Sequence, residues 1–224
     1  MLFSTEEFQV KDENTGISIQ TRLFFNPEKK SANFCVIASC PHPLYGGNFE
    51  NNVILGIRDV LVENGIYYST FNFRGVGLST GTFDNAIGEQ KDLINVANHI
   101  LKKYKPKGID NIFLIGYSFG GVVALAAASK IKNLIGTAFI SYPFGFLGDI
   151  LPNYDLKVPK LFINGRNDDI ADYLRLKNEF ERFSDEKSMS LIETDHFYFH
   201  KERFAGGIIL EFIRNYNNFT ALNS

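Results

Sequence analysis

A serine with a glycine two places before it and another two places after it is the first group in this chain whose setting suits covalent chemistry. The residues are Gly116-Tyr117-Ser118-Phe119-Gly120, preceded by Ile112-Phe113-Leu114-Ile115 and followed by Gly121 and Val122-Val123-Ala124-Leu125-Ala126-Ala127-Ala128. The apolar run reads as a buried parallel strand and the alanine-rich segment as a helix. A strand that passes at once into a helix needs a sharp turn, which strains the serine backbone and pushes its hydroxyl out above the sheet. Positions 116 and 120 face each other across that turn, so both being glycine avoids a side-chain clash. The helix N-terminus aims its backbone N–H groups at the serine, where negative charge would build on a carbonyl under attack.

A second Gly-x-Ser-x-Gly, Gly77-Leu78-Ser79-Thr80-Gly81, lacks this context. It follows the turn-rich Asn72-Phe73-Arg74-Gly75-Val76 and runs into Thr82-Phe83-Asp84-Asn85 with no helix start, so Ser79 reads as a loop serine. Ser118 is the candidate nucleophile, and serine is a poor one unless a base takes its proton and an acid orients that base. Reactive groups of such a sheet sit on loops at the carboxyl ends of strands. Two such loops follow the elbow: Asn164-Gly165-Arg166-Asn167-Asp168-Asp169-Ile170, and Glu193-Thr194-Asp195-His196-Phe197-Tyr198. Among the four histidines, His42 and His99 precede the serine, His99 as a surface or groove residue mid-helix, and His200 stands away from the strand end among Lys201, Glu202 and Arg203. That leaves His196 as the base. Asp168 and its neighbour Asp169 point in different directions; Asp168 is preferred, and Asp195 comes third because it adjoins the base.

The elements that must hold these groups can be read in order. Residues 8–10 and 17–25 predict two antiparallel strands, 34–39 a central strand, 51–64 a helix closed by Gly65, and 66–71 a further strand. Helix 86–104, the elbow strand and helix, strands 134–140, 158–163 and 189–192, and helices 171–183 and 204–216 complete the chain. Strands alternating with helices predict an α/β fold, a doubly wound and mostly parallel sheet with helices on both faces. The expectation is a single domain over 1–218 with a polar tail at 219–224.

Composition narrows the function classes. At 224 residues the chain can bury one large core, and a net charge of -2 with interspersed signs carries no footprint for nucleic acid or an anionic membrane. The start, Met1-Leu2-Phe3-Ser4-Thr5-Glu6-Glu7, shows no signal peptide, and no run approaches a membrane span. Cys35 and Cys40 sit at an odd offset on one predicted strand, so they face opposite sides and read as buried small hydrophobes of a reducing cytoplasm. No His/Cys/Asp cluster has metal-ligand spacing, and neither a metal nor a cofactor is expected. Oligomeric state is not legible.

Five segments together resemble the α/β-hydrolase superfamily, in particular a small, lidless group of bacterial and archaeal serine hydrolases. Its H-P-H-P-x-x-G-G loop, N-F-R-G-V-G-x-S-x-G stretch, G-x-S-x-G-G elbow, G-x-x-D acid loop and H-F-F-type histidine loop are matched at 40–47, 72–81, 116–121, 165–168 and 196–198. The resemblance covers nearly the whole domain, with the order serine, acid, histidine. It implies an α/β-hydrolase fold without a cap, and its G-x-x-D spacing supports Asp168 over Asp169 as the acid of a Ser118-His196-Asp168 triad. Cys40 departs from the pattern, which often has a histidine there.

An oxyanion hole would combine the Phe119 N–H with a donor from the loop after strand 34–39. Pro41 and Pro43 have no N–H, which leaves Leu44, by analogy with the superfamily, or else His42, unless the loop is only a rigid turn. Arg74 reads as a loop-bracing donor in preference to a receptor for a substrate carboxylate. The interval 141–157 is too short and too broken by Gly and Pro for a helical lid, so the site should be open. Tyr142, Phe144, Phe146 and Leu147, with Tyr117, Phe119 and Phe197, either line an apolar acyl groove or pack beneath the loop. The reading that results is hydrolysis of a small acyl ester or thioester through an acyl-enzyme. The alternatives are a non-catalytic interaction protein on the same scaffold, or a peptidase for short peptides.

Overall fold

Five-residue to eight-residue strands separated by amphipathic helices fold into one mixed sheet. The computed structural model describes residues 3–29, 31–148, 150–184 and 186–216, and the tail expected at 219–224 lies outside them. The strands are β1 (Ser4–Lys11), β2 (Ser18–Phe25), β3 (Phe34–Ser39), β4 (Tyr67–Phe71), β5 (Asn111–Tyr117), β6 (Leu134–Ile140), β7 (Lys160–Gly165) and β8 (Lys187–Ile192). The helices are α1 (Asn52–Glu63), α2 (Ile87–Lys103), α3 (Phe119–Ala127), α4 (Tyr173–Phe180) and α5 (Glu202–Asn215). In space the strands run β1-β2-β4-β3-β5-β6-β7-β8. The β1–β2 and β2–β4 pairs are antiparallel and the rest are parallel, as the alternation of strands and helices requires.

Burial follows position in the sheet. Every residue of β3 and β7 is buried, while edge strand β1 alternates. That alternation explains why β1 starts earlier than its apolar residues suggest: Ser4, Thr5, Glu6 and Glu7 belong to it, but only every other side chain meets protein. Helices α1 and α5 pack together closely enough that a Cβ on Gly56 would lie 2.4 Å from the Cβ of Glu202, and one on Gly206 3.1 Å from Val60. Helix α4 is shorter than the 171–183 expected. Asp172 caps its start through the Leu174 N–H at 2.8 Å, and Phe183 leaves the helix to pack, its ring tilted, 4.9 Å from Phe162 in the core. Between β6 and β7 the described residues contain no helix.

The turn after β4 is braced from within. Arg74 donates through Nη2 and Nε to Asp92 Oδ1 at 2.7 and 3.2 Å, and both residues are buried. A Cβ on Gly88 would lie 1.9 Å from Arg74 Nη1, so the first turn of α2 is open for the guanidinium. Arg74 is therefore committed to the loop, as its bracing reading holds. Replacing it with alanine strands the Asp92 carboxylate inside the protein, an expected cost of about 3–5 kcal/mol, measurable as a lower urea midpoint. Cys35 and Cys40 are buried and unpaired by any disulfide, and burial pushes the Cys40 thiol up to about 12, which leaves it unreactive.

Candidate active site

Ser118 sits between the last residue of β5 and the first of α3, with φ 53° and ψ -121°. Two backbone bonds hold it in this strained conformation: its N–H donates to Ile140 O at 2.9 Å, and its carbonyl accepts from the Gly121 N–H at 2.8 Å. The two flanking glycines answer different neighbours. A Cβ on Gly116 would lie 2.5 Å from Gly120 O and Gly121 Cα, as expected across the turn. A Cβ on Gly120 would instead strike the end of β3, at 2.3 Å from Ser39 O and 2.5 Å from Cys40 O. The elbow thus rests directly on the strand whose following loop borders the site.

The structure brings Ser118, His196 and Asp168 together. His196 Nε2 lies 3.0 Å from Ser118 Oγ, and Nδ1 lies 2.9 and 3.0 Å from the two Asp168 oxygens. All three residues are buried. A carboxylate facing Nδ1 selects the tautomer with its proton there, so the Nε2 lone pair meets the serine hydroxyl. Asp168 Oδ1 also accepts from the Ile170 and Ala171 N–H groups at 3.0 and 2.7 Å. Burial works to raise the Asp168 pKa, but hydrogen bonds from His196, Ala171 and Ser141 outweigh it and hold the carboxyl below its ordinary value. Asp169 and Asp195 are exposed, and Asp195 caps the Phe197 N–H at 2.9 Å instead.

Several supporting side chains were not visible in the sequence. Tyr117 donates its hydroxyl to His196 O at 2.6 Å, which fixes the histidine loop from the elbow strand. Asn164 Nδ2 donates to Ala171 O at 2.7 Å and so closes the loop that carries Asp168. Ser141, which also bonds Asp168, lies 2.9 Å from the Tyr198 hydroxyl, and both residues have positive φ, 47° and 56°. Nothing in Ser-Tyr-Pro or His-Phe-Tyr announces that geometry; a positive φ at a non-glycine residue is seen only in coordinates.

A cavity of about 590 Å³ opens over Ser118 and His196, walled by Tyr45, Phe146, Ile170 and Phe197. Phe146 and Phe197 are about half exposed, at 48% and 50%. Tyr117 and Phe119 also border it, but Phe144 does not. Gly145, with φ 74°, turns the chain between the two aromatics, so Phe144 packs 4.5 Å from Tyr142 and toward Phe162 and Phe183. The two readings of the aromatic loop are thus divided between neighbours. The Leu44 N–H, expected to face the serine, donates to His42 Nδ1 at 3.2 Å, and its side chain is 66% exposed, outside the cavity lining. His42 borders the cavity.

The remaining candidates lie elsewhere. Ser79 is buried as a clasp, donating to Asn72 O at 2.7 Å and accepting from the Gln20 N–H at 2.9 Å. His99 stacks on Phe8 at 5.1 Å, and His200 is exposed. Among the described residues no group of three His, Cys, Asp or Glu could hold a metal ion, and no helix is long and apolar enough to cross a membrane.

No family model matches the chain. An uncharacterized protein of Rickettsia prowazekii (strain Madrid E), RP471, is 31% identical over 199 residues, which cover 82% of this chain and 81% of that protein. Among solved structures, an α/β serine hydrolase without a lid from Xanthomonas campestris superposes with a TM-score of 0.82 at 26% identity, over 94% of each chain. An α/β serine hydrolase homologue from Coxiella burnetii gives 0.81 at 23%, over 92% of this chain and 96% of that one. A Pyrococcus furiosus esterase gives 0.80 at 16%, over 96% and 92%; at those lower identities the likeness is one of fold. The chain belongs to the same family as RP471 and is a structural homologue of lidless α/β-hydrolase-fold enzymes.

Proposed function

We propose that this protein is a serine hydrolase that cleaves the acyl ester or thioester bond of a small substrate. The observation that carries the reading is the unbroken contact chain from Ser118 Oγ through the His196 ring to Asp168. The likeness to a serine hydrolase without a lid supports it. In this reading Ser118 Oγ attacks the acyl carbon while His196 Nε2 takes its proton, and Asp168 stabilises the imidazolium that forms. The tetrahedral oxyanion is met by the Phe119 N–H, which opens helix α3 and has no intrahelical acceptor. With the Leu44 N–H engaged by His42, the second donor is the His42 N–H, which has no hydrogen-bond acceptor among the described residues. Collapse expels the alkoxide or thiolate, which takes the proton from His196. Water, deprotonated by the same nitrogen, then releases the acyl group and restores Ser118.

The cavity favours a neutral acyl group. Its lining contains no Lys, Arg, Asp or Glu, and Arg74 is tied to Asp92. Folded protein is expected to gain the mass of one phosphonyl group on reaction with a fluorophosphonate, and unlabelled protein to hydrolyse members of an ester and thioester panel that the label blocks. If the folded protein takes up no label, the contact chain is silent and an interaction protein on the hydrolase scaffold becomes the better reading.

A further inference from the structure

We infer that the His42 imidazole is a positioning residue, latching the loop after β3 so that the His42 N–H is held as an oxyanion donor; this rests on the serine-hydrolase reading above. The loop Pro41-His42-Pro43-Leu44 has only two N–H groups, and the side chain of His42 decides their fates. Its Nδ1 accepts from the Leu44 N–H, closing the 3₁₀ turn Pro43–Tyr45 as an N-cap. That consumes one donor and leaves the other free.

The backbone of His42 is pinned as well. Its carbonyl accepts from the N–H groups of Tyr45 at 3.1 Å and Gly47 at 3.0 Å. Gly47 lies so close that a Cβ there would be 2.1 Å from Pro41 O and 2.7 Å from His42 O. The described residues contain no cis peptide, so the Pro41 carbonyl and the His42 N–H of one planar unit point in opposite directions. A carbonyl held against Gly47 therefore turns the N–H away from Gly47. Rotating that peptide would put its carbonyl oxygen where the N–H now points.

The imidazole is built in as a neutral acceptor. It is boxed by Phe119 and Tyr45 at 4.7 Å, Phe83 at 5.0 Å and Phe146 at 5.9 Å. Phe119 belongs to the elbow, so the box couples the loop to the serine's own helix. Burial lowers the pKa of His42, which favours the uncharged ring that an accepting Nδ1 requires. The proton is then on Nε2.

The two nitrogens make the idea testable. In His42→Asn the amide oxygen takes the place of Nδ1, as Asn51 does when it caps Val53 and Ile54. His42→Gln offers an acceptor near Nε2, and His42→Phe keeps the ring but no acceptor. On a 4-nitrophenyl ester, His42→Phe and His42→Gln are expected to lose about 10²-fold in kcat with KM little changed, and His42→Asn to recover most of that loss. Equal kcat in all four proteins, equal loss in Asn and Phe, or better recovery by Gln than by Asn would each overturn the latch. Imidazole nitrogen-15 spectra of the wild type, which need neither activity nor a folded variant, should show Nδ1 unprotonated; a proton there overturns it too. Failure of the wild type to react with a fluorophosphonate would count against the hydrolase reading alone.

Discussion

Ser118→Ala is expected to abolish fluorophosphonate labelling and to lower kcat on any ester substrate by about 10⁶-fold, whereas Ser79→Ala leaves labelling of Ser118 intact. The two serines share a motif and differ in everything around it. Ser118 is held at φ 53° with its hydroxyl 3.0 Å from His196, and losing that hydroxyl removes the atom that the proposed mechanism uses to form the acyl bond. Ser79 gives its hydroxyl to Asn72 O and receives the Gln20 N–H, so its oxygen is doubly engaged in tying the turn after β4 to β2. Removing it leaves a buried N–H without an acceptor, a stability cost of about 1–3 kcal/mol and no direct effect on chemistry. Intact-mass measurement of labelled protein, paired with thermal melts, separates the outcomes. Labelling that survives Ser118→Ala and disappears with Ser79→Ala would reverse the assignment.

Legibility in the sequence tracked how local the physics is. The elbow is written in adjacent residues, because a strand, a sharp turn and a helix demand apolar, Gly-x-Ser-x-Gly and Ala-rich segments in that order. His196 and Asp168 were readable as candidates since both follow short apolar strands, and loops at those ends converge in a parallel sheet. The fold class followed from the same alternation. What the sequence withheld depends on torsions and on distant neighbours. Phe144 and Phe146 are alike by type, and only the left-handed turn at Gly145 sends one inward and the other to the cavity. Leu44 looked like a free donor because nothing in Pro-His-Pro-Leu reveals that the histidine ring folds back on it. Ser141 reaches Asp168, and Gly120 meets β3, across 27 and about 80 residues of chain respectively.

Asp168→Asn is expected to lower kcat by about 10⁴-fold while the protein stays folded. The amide oxygen can still accept from Ile170 and Ala171, whose N–H groups lie 3.0 and 2.7 Å from Oδ1, so the loop keeps its closure. The other carboxylate oxygen becomes an NH₂, which donates to His196 Nδ1 where an acceptor stood. Nδ1 must then be the unprotonated nitrogen, Nε2 carries the proton, and no lone pair is left to receive the one on Ser118. Acid acts on the wild type through the same group. Folding depresses the Asp168 pKa, so its contribution to stability is full above the unfolded-state value and is lost as pH falls through the lower, folded-state one. Asp168→Asn should therefore flatten the acid limb of the stability profile, as read from denaturation midpoints across pH. Asp169 is exposed and makes no contact with His196, so Asp169→Asn should leave both profiles near wild type. Loss of activity in Asp169→Asn with retention in Asp168→Asn would show that a different acid orients His196 during turnover.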